Sequence, residues 1–137
     1  MTPHEINQLD GILSAARLLR LAAMGYARDN CYGFVERLDP AGFKLDAYSL
    51  GLLDILSTSC GTDRHVLRLL VYLLMLCEQG PGTETIDAAE RMLKSRDQAG
   101  ADRYVEMGRF DMLRLQAGEP MESQSYASLL LAERASH

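Results

Sequence analysis

Tryptophan is absent from this 137-residue chain, and histidine occurs at 3 positions, cysteine at 3 and proline at 4. The histidines stand far apart, at His4, His65 and His137, which gives metal ligation or a catalytic triad little to draw on. The cysteines, Cys31, Cys60 and Cys77, are odd in number and show no CxxC or Cys/His ligand spacing, so neither a disulfide framework nor a zinc site is expected. They read as reduced, mostly buried, small apolar side chains. The chain also lacks a glycine-rich phosphate loop, HExxH, GxSxG, an EF-hand loop and the ExxH pairs of a di-iron bundle. No catalytic residues, cofactor or metal are therefore predicted, and the chain is expected not to be an enzyme.

Two further scarcities bound the fold and the location. Valine and isoleucine are few beside leucine and alanine, and no segment alternates apolar and polar residues between turns, so strands are not expected. The opening MTPHEINQLD has neither the basic nor the apolar region of a secretory leader, which predicts a cytoplasmic protein. A formal net charge of −5 runs against general attraction to phosphate backbones.

What the sequence has in abundance is helical apolar pattern. Val66 to Cys77, VLRLLVYLLMLC, is broken only by Arg68, and Thr62 can cap it while Gly80-Pro81 stops it. Its unbroken apolar run, Leu69 to Cys77, is far short of the ~20 residues of a membrane span, so a buried central helix over about 62–79 is predicted. Thr2-Pro3-His4-Glu5 has the form of a capping box and starts a first helix running to about Arg28. On it, Leu9, Ile12, Leu13, Ala16, Leu19, Ala23 and Tyr26 share a core face.

Beside that face runs a second stripe, Gly11, Ala15, Leu18, Ala22 and Gly25. Small residues at this spacing let another helix backbone come close. The stripe serves either packing within the chain or self-association about a two-fold axis, as a homodimer. Farther on, Cys31, Tyr32, Phe34 and Phe43 cluster around a short helical piece at 34–38 and an Asp39-Pro40 turn. Asp46 is placed as the cap of a helix over Leu45 to Ser59, and Asp54 lies within its apolar part. A surface helix follows over Thr83 to Arg96, with Ile86, Ala89 and Leu93 inward. Next comes a helix over Asp102 to Ala117 whose inner stripe is Ala101, Val105, Gly108, Met112 and Leu115, widened by Phe110 and Leu113. The last stretch, 119–137, reads as a terminal helix that docks on its own domain or on another subunit. The fold expected is all-α, one domain over 1–137, with about five or six helices around the central one.

Three functional readings result. The first is a non-enzymatic protein–protein interaction module, a small regulator or inhibitor that occupies a surface of another protein. Its acidic balance favours a basic protein partner, and its partner surface is placed at Tyr126, Leu129 and Leu130. The second is a helix-turn-helix-like DNA reader built from helices at about 46–59 and 62–79, presenting Arg64, His65 and Arg68. Against it stand the acidic chain and the apolar run after Arg68, so nucleic acid is the less favoured partner. The third is a helical domain holding a small ligand or an enzymatic site within its core.

Overall fold

A computed structural model describes residues 2–30, 39, 42–60, 64–119 and 125–135. Among these residues the chain forms six α-helices, one short 3₁₀ turn and no strand. They are α1 (Pro3–Asn30), α2 (Phe43–Cys60), α3 (Arg64–Gln79), α4 (Thr83–Lys94) with the 3₁₀ turn Ser95–Asp97, α5 (Ala101–Gln116) and α6 (Ser125–Ala135). The all-α architecture is thus the one the composition predicts. One contiguous core draws buried side chains from all six helices. No described helix is long and apolar enough to cross a membrane.

The helix at the centre is α2, which packs against α1, α3, α4, the 3₁₀ turn and α5. The sequence places α3 there because it is the most apolar segment, yet Leu69 and Leu76 are each 44 % exposed and Cys77 is exposed as well. Only one side of α3, with Leu70, Val71, Leu74 and Met75, enters the core. Residue size explains the exchange of places. The α2 sequence alternates leucines with Ala47, Ser49 and Gly51, all buried, which lets neighbours approach from several sides.

The closest of these approaches is between α2 and α5, and it turns on two glycines. A methyl group at Gly51 would meet the backbone of Val105 and lie 2.9 Å from Arg109 N. One at Gly108 would meet the Tyr48 carbonyl and lie 3.0 Å from Leu52 N. Each glycine therefore admits the backbone of the other helix, and this pair forms the most extensive interface in the fold. Beside it, α5 buries Ala101, Tyr104, Asp111 and Met112, while Phe110 and Leu113 face outward rather than widening the inner stripe.

Local chemistry sets the helix boundaries. Asp39 caps α2: its carboxylate accepts the N–H groups of Lys44 at 3.1 Å and Leu45 at 3.0 Å. The expected cap, Asp46, instead lies in the first turn and points into the core. At the end of α5, Gly118 has φ 75° and the N–H groups of Gly118 and Glu119 bond back to Leu115 and Arg114. That pattern satisfies the last carbonyls and needs a residue at ease with positive φ. On α4 the buried residues are Thr85, Ala88, Ala89 and Met92, and Ile86 is exposed, so the inner stripe is rotated from the expected one. The short helix expected at 34–38 and the Thr62 cap lie outside the described residues.

Candidate functional site

The core face of α1 holds Ala16, Leu19 and Ala23, as its periodicity predicts. Its opposite face is open. Among the described residues Leu18, 67 % exposed, and Leu21, 49 %, are the large apolar side chains left outside on that helix. Ala15 and Ala22 are half-buried, and among the described residues nothing beyond the helix's own backbone lies within 4 Å of where a methyl group at Gly11 or Gly25 would stand. Of the stripe named from the sequence, Ala15 packs against the core, whereas Leu18 stands out from it.

On its buried side α1 carries a charged residue that apolar periodicity does not mark. Arg20 is 8 % exposed and ties three helices together. Its Nε donates to Glu78 of α3 at 2.8 Å, and its Nη1 donates to Ser49 of α2 at 2.7 Å and to Asp46 at 3.4 Å. Burial pushes the Asp46 carboxyl above its ordinary range, and the Arg20 and Arg91 guanidinium groups offset part of that rise. Arginine in an apolar stripe is legible only as an exception, and its partners come from helices far away in sequence.

A second polar junction surrounds three tyrosines. Tyr126 of α6 sits with its ring centroid 5.9 Å from that of Tyr48 and 6.0 Å from that of Tyr104, in tilted and edge-on arrangements. Each hydroxyl donates to a carboxylate: Tyr48 to Asp111 at 2.5 Å, Tyr104 to Glu133 at 2.9 Å and Tyr126 to Asp39 at 3.1 Å. Lys44 reaches Glu133 at 2.8 Å and lies 5.7 Å from the centre of the Tyr104 ring. Burial, reinforced by these carboxylates, drives the Tyr104 and Tyr126 phenols far above their usual range, so both stay protonated.

This junction corrects the partner surface expected from the sequence. Tyr126 and Leu130 are 1 % and 0 % exposed and Leu129 is half-buried, because α6 turns that face onto α1 and α5. Leu131 is the large apolar side chain that α6 leaves outside. The three consecutive leucines marked the helix as docking but did not say which of them faces inward.

The residues of the DNA-reading alternative fall along the first turns of α3. His65 is exposed, and Arg68 is drawn sideways to Glu90 of α4 and over the ring of Tyr72. The Arg64 side chain and the turn before it lie outside the described residues. Farther along, the outward face of α3 is carried by Leu69 and Leu76, not by the long polar surface that groove reading requires. Asp54, the one carboxylate in the apolar part of α2, is paired with Arg109 at 2.5 Å.

An open depression of about 480 Å³ lies between Phe43 and α4, where Glu90, Arg91 and Lys94 line it. Glu90 is already engaged by Arg68 and Tyr72, and Arg91 leans toward Asp46 at 3.7 Å. No paired nucleophile and base lines it. Among the described residues, no three His, Cys, Asp or Glu side chains come together in a way that could hold a metal ion. Comparison with known protein families, with curated proteins and with solved structures finds no match to this chain.

Proposed function

We propose that the protein is a non-enzymatic interaction module that self-associates through the outward face of α1 and acts by occupying a basic surface of another protein. The observation that carries this reading is the exposure of Leu18 and Leu21 on a helix face flanked by Gly11, Ala15, Ala22 and Gly25. Large apolar side chains on an uncovered face lose free energy to water, and contact with a second surface recovers it. The order of the stripe favours a copy of itself. Read from either end it runs Gly, Ala, Leu, Ala, Gly, so an antiparallel pair centred on Leu18 sets glycine opposite glycine and leucine beside leucine. A two-fold interface has this self-complementarity. The net charge of −5 supports a partner of opposite sign.

The test is light scattering coupled to size exclusion on the wild type and on Leu18→Glu. A mass twice the 15.2 kDa of one chain is expected for the wild type, and one chain for the variant, with unchanged helicity by circular dichroism. A wild-type protein that stays at the mass of one chain at high micromolar concentration refutes self-association.

A further inference from the structure

The last helix is held to the rest of the fold by apolar and polar contacts together. Tyr126, Ala127 and Leu130 enter the core and Leu129 packs against it, and polar contacts fix the helix at two further points seven residues apart. At one end Tyr126 donates to Asp39 between the rings of Tyr48 and Tyr104. At the other, Glu133 accepts from Lys44 and Tyr104. Seven residues are two helical turns, so both side chains project from one face about 10 Å apart along the axis.

Part of the polar network of the body closes without α6. Asp39 keeps the two backbone donors of Lys44 and Leu45, and Tyr48 keeps Asp111. Lys44 and the buried Tyr104 are the groups of the body that α6 engages through Glu133. The close α2–α5 crossing at Gly51 and Gly108 involves none of the α6 residues. An eleven-residue helix is marginal alone, so α6 is ordered by this groove rather than by its own propensity.

We propose that the groove formed by α1, α5 and the first turn of α2 is a helix-recognition site, and that α6 is its built-in occupant, blocking it against a partner helix that carries a tyrosine and, seven residues on, a carboxylate. The selection is chemical. Asp39 accepts a hydroxyl at the ring cage, which favours tyrosine over phenylalanine, and the Lys44 ammonium favours a carboxylate at the far end. A tethered helix competes at an effective concentration near the millimolar range, so an outside helix enters only when the α6 contacts are weakened or its own are stronger. The site uses other residues than the α1 stripe and stands independently of self-association.

The probe is a labelled synthetic peptide with the sequence of residues 125–135, SYASLLLAERA, added to the full-length chain. Glu133→Lys in the chain sets a second ammonium beside Lys44 and loosens α6. The peptide is expected to bind this variant at least ten-fold more tightly than the wild type. Adding Lys44→Glu to the same chain is expected to restore the internal pairing and cancel that gain. Equal binding to wild type and to a folded Glu133→Lys chain overturns the proposal. Hydrogen exchange on the unmodified protein decides independently of any variant: α6 amides are expected to open well before those of α5, and exchange of both only by global unfolding overturns it. Light scattering on the same samples reports the α1 face separately.

Discussion

Replacing Gly108 by alanine is the sharpest test of how α2 and α5 are joined. The new methyl carbon would stand 3.0 Å from both the Leu52 nitrogen and the Tyr48 carbonyl carbon, and closer still to the carbonyl oxygen. Ordinary contact starts near 3.4 Å, and backbone atoms on a packed helix cannot swing aside as a side-chain end does. The helices must part, which also loosens the packing of Leu52 and Met112, both buried beside the crossing. Overpacking of a core typically costs 1–3 kcal/mol, and the gap left by the separated helices adds to it. Alanine returns about 1 kcal/mol through helix propensity. The net expectation is a loss of about 3 kcal/mol, or a fall of roughly 10 °C in melting temperature for a chain of this length. Urea unfolding followed by circular dichroism at low protein concentration measures it without a contribution from association. Gly11→Ala is the control, since no other segment of the described residues comes within 4 Å of the added carbon, and it should be neutral or gain up to about 1 kcal/mol. A Gly108→Ala protein as stable as the wild type would refute the account of the crossing.

Two further substitutions probe the buried charges. Arg20→Met removes the guanidinium shared by Asp46, Glu78 and Ser49, and breaking a buried pair of this kind costs about 3–5 kcal/mol. Because burial already raises the Asp46 pKa, protonation relieves its stranded charge, so the deficit measured by urea unfolding should be largest at neutral pH and shrink as the pH falls. A deficit of the same size at both ends would contradict that assignment. Glu133 has the opposite sign: burial raises its pKa, but the hydrogen bonds from Lys44 and Tyr104 outweigh that and hold it below its ordinary 4.5. Its contribution is present above that value and is lost as the pH drops through the lower folded value. Thermal melts of Glu133→Gln should therefore lie below those of the wild type at neutral pH and converge with them in acid.

The helices were legible in the sequence because apolar spacing, capping residues and Gly-Pro stops are local signals. Pro3, Gly80 and the 118–120 break fall where the structure begins or ends a helix. The centre of the fold was not legible. Hydrophobicity pointed to α3, whereas the position went to α2, whose small residues admit neighbours. Closeness of approach is decided by pairs of residues in two helices, and Gly51 carries no mark that distinguishes it from a tolerated glycine. The polar junctions were hidden for a similar reason. Asp111 and Tyr104 sit on the inner face of α5 because Tyr48 and Glu133 wait there, and no spacing rule within one helix shows such partners. The rotation of α6 is not legible because three successive leucines cannot all face inward, and the choice among them depends on where Tyr126 is anchored.

The tyrosine junction also gives the molecule a built-in optical reporter. With no tryptophan and 6 tyrosines, the near-ultraviolet absorption and emission of the protein come chiefly from phenol rings. Tyr48, Tyr104 and Tyr126 are half of these, held at fixed tilts in an asymmetric surround and each hydrogen-bonded to a carboxylate, a partner that quenches phenol emission. Packed rings give a near-ultraviolet circular dichroism that vanishes when tertiary order is lost, even where helicity survives. Departure of α6 would separate Tyr126 from both neighbours and return light from Tyr104 and Tyr126 while far-ultraviolet ellipticity changes little, so an unlabelled sample in a cuvette can follow the state of the last helix in real time.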